Sequence, residues 1–260
     1  MAFRRGKRMK AVLYVCHGSR VQEGCQQAIE FVQKTQQLVS VPIQEISFLE
    51  LAHPTIEEGF TRCIEQGATE IAVIPVLLLA AGHVKKDIPE KLEALQTLHP
   101  YVKISFGKPF GVHERIVDVL LERIQEKTTI IKKNIAVLLV GRGSSDADTI
   151  QNFEEIIHFF HTKTNFSYVE SCFLAAAKPR FEDLLKETLA RDVDSIIVIP
   201  YLLFTGLLIK SIEKTIDMVR SDKNITLCDY LGFHPYLSEV LADRVNEALQ
   251  QEGMMLVQYA

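Results

Sequence analysis

The chain contains no C-x-x-C pair. Its five cysteines, Cys16, Cys25, Cys63, Cys172 and Cys228, stand far apart. A zinc ribbon or an iron–sulfur cluster therefore lacks the ligand spacing it needs. An odd, scattered set fits the reduced thiols of a cytoplasmic protein, most of them filling core space as small apolar groups. Long apolar runs are also missing. The longest, residues 71–81, falls well short of the roughly 20 residues that span a bilayer. Five lysines and arginines crowd the first ten residues, "MAFRRGKRMK", but no apolar stretch follows, which argues against a secretory signal. The expectation is a frayed basic tail over 1–8, with Met9 as an alternative start. There is no surplus of positive charge either. The net charge of −4 argues against a general nucleic-acid binder. Finally, the Gly-Ser turns "CHGSR" and "GRGSSD" match neither G-x-x-x-x-G-K-[ST] nor G-x-G-x-x-G, so nucleotide dependence has no support.

What remains is an ordinary globular composition, with 47% hydrophobic and 24% charged residues, which excludes a largely disordered chain. At 260 residues the chain is long enough for two compact units. Apolar runs alternate with helical patterns. "AVLYV" precedes apolar positions at Cys25, Ala28, Ile29 and Val32, one face of a helix. "IQEISFL", "IAVIPVLLL" and "VKISF" follow as strands, with helices expected from about Pro54, Lys85 and Val112. Proline suits a helix's first turn. A β-α-β-α series of this kind predicts a parallel sheet covered by helices on both faces.

The series then restarts. "VCHGS" from Val15 matches "VGRGS" from Val140, "FLELAHP" from Phe48 matches "FLAAAKP" from Phe173, and "IPVLL" from Ile74 matches "IPYLL" from Ile199, each pair 125 residues apart. Gly107 and Gly232 have the same separation. The chain reads as an α/β protein of two similar, doubly wound, Rossmann-like parallel-sheet domains, 9–128 and 129–260, joined near the "KTTIIKK" segment at 127–133. Such sheets bind ligands at the carboxyl ends of their strands, and two of them facing one another leave a cleft there.

The informative positions are those where the matched halves differ in chemistry. His17 pairs with Arg142, Glu50 with Ala175, and His83 with Leu208. A scaffold role would call for similar residues in both halves, yet two imidazoles and a carboxylate occur in one half alone. Each lies at or just past a strand's carboxyl end, where side chains converge. Singly, each has a plain explanation: a loop histidine is more often solvated than a ligand, Glu50 reads as a surface or cap carboxylate, and His83 can simply open a helix. Together they form a donor set suited to Fe²⁺, Co²⁺ or Zn²⁺, with an open coordination position suited to transfer. The other six histidines, among them His158 and His161 in "HFFH" without a zincin's acidic partner, are read as structural or solvated. Cations gather at the same strand ends: Arg20, Lys85, Lys86 and Lys108 in the first half, Arg142, Lys178, Arg180 and Lys210 in the second. Most surface lysines and arginines are simply solvated; the functional alternative is a basic mouth for a polyanionic small molecule, with arginine suited to carboxylates. Ser19, Arg20, Lys85, Arg142 and Lys210 are the expected substrate contacts.

"LYVCHGSR", "EISFLELAHPTIEEGF", "IPVLLLAAGHVKKDIP", "GRGSSD" and "IPYLLFTG" resemble the sirohydrochlorin chelatases of the class II chelatase superfamily, most closely the long, two-domain bacterial ferrochelatases, over residues 9–249. The resemblance implies ATP-independent insertion of Fe²⁺ into sirohydrochlorin to give sirohaem. It implies His17 and His83 as paired active-site histidines, with Glu50 as their acidic partner. The metal is then a substrate, with Co²⁺ or Ni²⁺ able to occupy the same site, and no cofactor is held permanently. The histidine-rich tail and iron–sulfur motif of some relatives are absent from this sequence. A cobaltochelatase is the nearest alternative, and a non-enzymatic bilobal metal- or anion-binding protein the second. No nucleic-acid or membrane partner is expected, and a monomer would suffice.

Overall fold

The computed structural model describes residues 8–128 and 134–251. Most of the expected basic tail, most of the 127–133 joint and the terminal residues 252–260 lie outside them. Two four-stranded, all-parallel sheets are built to one plan. The first has the order β2-β1-β3-β4, with β1 Lys10–Cys16, β2 Ile43–Phe48, β3 Glu70–Val76 and β4 Lys103–Phe106. The second has the order β6-β5-β7-β8, with β5 Ile135–Gly141, β6 Tyr168–Phe173, β7 Ser195–Pro200 and β8 Asn224–Leu227. Central strands β1 and β5 are buried along almost their whole length, because helices cover both faces, which is why they read as unbroken apolar runs. The helices are α1 Gln22–Gln36, α2 Ile56–Glu65, α3 Ile88–Leu98, α4 Glu114–Lys127, α5 Ala147–Lys163, α6 Phe181–Ala190, α7 Leu207–Met218 and α8 Pro235–Gln250. Among the described residues no helix is long and apolar enough to cross a membrane.

Two helix starts differ from expectation. Pro54 lies outside α2, in a cis His53–Pro54 peptide. The helix is instead opened by Thr55, whose hydroxyl accepts from the Glu58 backbone N–H while the Glu58 carboxylate accepts from that of Thr55, a reciprocal capping box. Before α3 the chain makes a π-helical turn, His83–Asp87, closed by the Ile88 N–H donating to the His83 carbonyl five residues back. His113 caps α4 by accepting from the Arg115 N–H.

The chain packs into two compact units that do not follow a single cut at 128/129. One comprises the described residues within Met1–Arg20, Ala28–Phe110 and Ser238–Ala260; the other comprises Val21–Gln27 and those within Gly111–Leu237. Each unit takes its last helix from the other repeat. In the first, the Arg244 guanidinium of α8 donates to the carbonyls of Pro109 and Phe110, and Lys10 Nζ donates to the Leu249 carbonyl. In the second, Arg123 of α4 donates to the carbonyls of Tyr230 and Leu231. The two arginine clamps are copies of one device, each guanidinium also paired to a glutamate three residues on, Glu126 or Glu247. They fix the register of the late repeat: Tyr230 and Leu231 answer to Pro109 and Phe110. Gly232 (φ 62°) therefore matches Gly111 (φ 71°). The pairing of Gly232 with Gly107 is corrected, because the second repeat is shorter between its third and fourth strands.

Candidate functional site

The carboxyl ends of β1, β2 and β3 are level, with Cys16 opposite Phe48 on one side and Val76 on the other. Strand order reverses around β1, so the crevice above its end is the switch point of the sheet. His17 follows β1 immediately. Two further ladder-like bonds, Leu49 N–H to the Cys16 carbonyl (2.8 Å) and Glu50 N–H to the His17 carbonyl (3.1 Å), tie the β2 extension to it and set Glu50 beside the ring. His83 arrives from β3 at the head of the π-helical turn. One nitrogen of each imidazole and one oxygen of Glu50 all lie within 4.8 Å of one another. His17 Nε2 stands 3.6 Å from Glu50 Oε1, and the two rings meet edge to face with centroids 4.8 Å apart.

Both imidazoles have a fixed tautomer. The His17 Nδ1–H donates to the Gly18 carbonyl at 3.0 Å, and the His83 Nδ1–H donates to Asp87 Oδ2 at 2.6 Å. In the neutral rings the lone pairs therefore sit on Nε2. Ligand atoms on one first-row metal, each at about 2.1 Å, stand at most about 4.2 Å apart, so a shift of under an ångström brings these three donors onto one ion. The rings are about two-thirds covered and the Glu50 carboxylate about half exposed. Three donors with one open side can take up an ion and give it away.

Asp87 is the residue that sequence reasoning missed. It was legible as an acid four positions after a histidine, in a stretch where the first repeat carries chemistry that the second lacks. The second unit keeps the backbone around the first two strand ends of the site without its donors. Leu174 N–H and Ala175 N–H bond to the carbonyls of Gly141 and Arg142, as Leu49 and Glu50 bond to those of Cys16 and His17. Gly18 and Gly143 share φ near +90°, and Leu51 and Ala176 share a left-handed conformation. The turn is common scaffold; only the side chains changed. Arg20, Arg142, Lys178, Arg180 and Lys210 are exposed, and Ser19 and Lys85 half-buried. Of the remaining histidines, His53 pairs with Glu58 and His234 with Glu122, His99 stacks edge-on against Tyr101, and His158 and His161 lie exposed on α5. None of them joins the triad.

The CbiX family model matches the chain twice, over residues 11–127 and 136–248. The sirohydrochlorin ferrochelatase of Priestia megaterium is 46% identical over 246 residues, covering 94% of this chain and 92% of that protein. The sirohydrochlorin cobaltochelatase of the same organism is 34% identical, covering 96% and 83%. Among solved structures, SirB from Bacillus subtilis with Fe³⁺ superposes with a TM-score of 0.86 at 40% identity, covering 93% of this chain and 96% of that one. A pattern found once in each half, at the same repeat that the two sheets and their arginine clamps display, makes this chain a member of the CbiX family.

Proposed function

We propose that this protein is a sirohydrochlorin ferrochelatase, inserting Fe²⁺ into sirohydrochlorin without ATP. The observation that carries the reading is the convergence of His17, Glu50 and His83 at the switch point of one sheet, on a turn whose copy in the other sheet has Arg142, Ala175 and Leu208. The 46% identical ferrochelatase relative supports iron as the metal.

Insertion exchanges two pyrrole N–H protons for one Fe²⁺, so the site must both loosen a hydrated cation and accept protons. Two imidazole lone pairs and a carboxylate replace water on the ion while leaving positions for macrocycle nitrogens. Once the ion has passed to the ring, the same neutral imidazoles accept the displaced protons near neutral pH, and the exposed Glu50 carboxylate hands them to solvent. Ser19, Arg20 and Lys85 meet carboxylates of sirohydrochlorin in this reading. The protein works as a cytoplasmic monomer with no nucleic-acid or membrane partner.

The test is Fe²⁺ insertion by the full chain carrying His17→Ala or His83→Ala. Each substitution is expected to cut turnover at least 100-fold, as removal of a group acting in proton transfer does, with the melting temperature near that of the unaltered protein. Full activity in both folded variants would sink the assignment. A second reading, cobaltochelatase, is favoured by the 34% identical relative. Metal preference in a cuvette does not decide it, because Co²⁺ outbinds Fe²⁺ in most N/O sites. Rescue of a strain lacking sirohaem, rather than of one lacking cobalamin, is the expected result.

A further inference from the structure

The π-helical turn has no counterpart in the second unit. Val84 and Ile88 are buried four residues apart, whereas their equivalents at the head of α7, Ile209 and Ile212, are buried three apart on a regular α-helix. The first repeat therefore holds one extra residue, accommodated by the wide i→i−5 turn with no loss of either core anchor. Single π turns of this kind arise by one-residue insertion and are frequent at functional sites. Here the wide turn sets Asp87 against His83: Oδ2 lies 2.6 Å from Nδ1. In the second unit both members are gone together, His83 giving way to Leu208, and the carboxylate to a helix without the added residue.

We propose that Asp87 is the positioning residue of the metal-transfer site. The carboxylate holds the Nδ1–H of His83, which fixes the ring's tautomer and angle and directs the Nε2 lone pair toward the position shared with His17 and Glu50. The inference rests on the metal-site reading above. A carboxylate behind a ligating imidazole orients the ring and raises its basicity, and its loss typically weakens metal binding by 10–100-fold. His17 Nδ1–H donates instead to the neighbouring Gly18 backbone carbonyl. The two imidazoles are thus held differently: His83 is anchored by a side-chain carboxylate.

The experiment uses the full chain and Co²⁺ alone as probe. The dissociation constant is read from the Co²⁺ d–d absorption, and the tautomer of His83 in the metal-free protein from its ring ¹⁵N shifts. Asp87→Ala is expected to raise the Co²⁺ dissociation constant 10–100-fold and to move His83 from one tautomer to a mixture. Asp87→Asn, whose amide oxygen still accepts from Nδ1–H, is expected to keep the tautomer and lose affinity by a smaller factor; it carries the test if the alanine variant does not fold. Wild-type affinity together with an unchanged tautomer in the folded variant overturns the proposal. His83→Ala separates the two levels. If it abolishes Co²⁺ binding while Asp87→Ala and Asp87→Asn leave it intact, only the role of Asp87 falls. If His83→Ala itself binds Co²⁺ normally, the metal-site reading falls and takes this one with it.

Discussion

A Cβ on Gly18 would stand 1.8 Å from the carbonyl oxygen of Glu50, at a φ of +93°. On Gly143 it would stand 1.9 Å from the carbonyl oxygen of Ala175, at +87°. Backbone meets backbone in both places, so neither turn can admit even alanine without parting the strand ends. Left-handed strain alone costs an L-residue about 1–2 kcal/mol, and the clash adds to it. Gly18→Ala and Gly143→Ala are therefore expected to lose similar stability, about 2 kcal/mol or more each, in urea titrations. Only Gly18→Ala should also weaken Co²⁺ binding, because only there does the displaced carbonyl belong to a donor. Equal Co²⁺ affinity in the two variants would contradict the placement of Glu50. These residues also show what a sequence discloses. His17, Glu50 and His83 stood out because the twin positions carry other chemistry. Gly18 did not, since both copies need it and a comparison of copies is blind to what they share. Asp87 was passed over inside a charged run that resembles an ordinary solvated helix start.

Helices α2 and α3, which flank the site from one face of the first sheet, are tied by Lys91 and Glu57 at 2.6 Å. Burial by itself would raise the Glu57 pKa, but the hydrogen bonds from Lys91, the local backbone and Thr55, with the Lys91 charge, outweigh it and hold the carboxyl below its ordinary range. A depressed carboxylate contributes stability that is fully present above the unfolded-state pKa and is lost as pH falls through the folded one. Both side chains are over a third exposed, so the contribution belongs with surface pairs, about 0.2–1 kcal/mol. Glu57→Gln should cost that much at pH 7 in low salt. The difference from the unaltered protein should shrink in 1 M salt and below pH 4. A difference that persists at pH 3 would mean that packing, not charge, joins the helices. The capping box of α2 was as readable as any feature of the chain, in T-x-x-E from Thr55 to Glu58, yet Pro54 beside it drew the helix start two residues early. A proline before an N-cap and a proline at the first helical position look alike in sequence. The π-helical turn was not legible at all: its extra residue shows only against the spacing of buried residues in α7.

The repeat in the sequence and the compact units of the molecule are cut from the same chain along different lines. Repetition tells which segments share a conformation, whereas packing decides which segments share a core. A helix at the end of a repeat can serve either sheet when both sheets present the same surface. The arginine clamps show the outcome: Arg244 holds the loop at Pro109 and Phe110, and Arg123 the loop at Tyr230 and Leu231. A fragment spanning 9–128 would consequently keep α4, whose Ile116, Val117, Val119, Leu120 and Ile124 are buried in the other unit. It would lose α8, whose Val240, Leu241 and Val245 are buried in its own. At roughly 1.5–3 kcal/mol for each large apolar side chain returned to water, the three from α8 remove several kcal/mol from a domain whose whole margin is about 5–15 kcal/mol. The fragment is expected to lack cooperative thermal unfolding at low concentration. The Cys63 thiol, buried and pushed up to about 12 in the intact chain chiefly by desolvation, should then react readily with a thiol reagent at pH 8. Raising the concentration should restore protection only together with dimerisation, because a second copy's α4 can occupy the place of α8. A monomeric 9–128 fragment that melts cooperatively and shields Cys63 would show that the first sheet does not depend on the last helix of the chain.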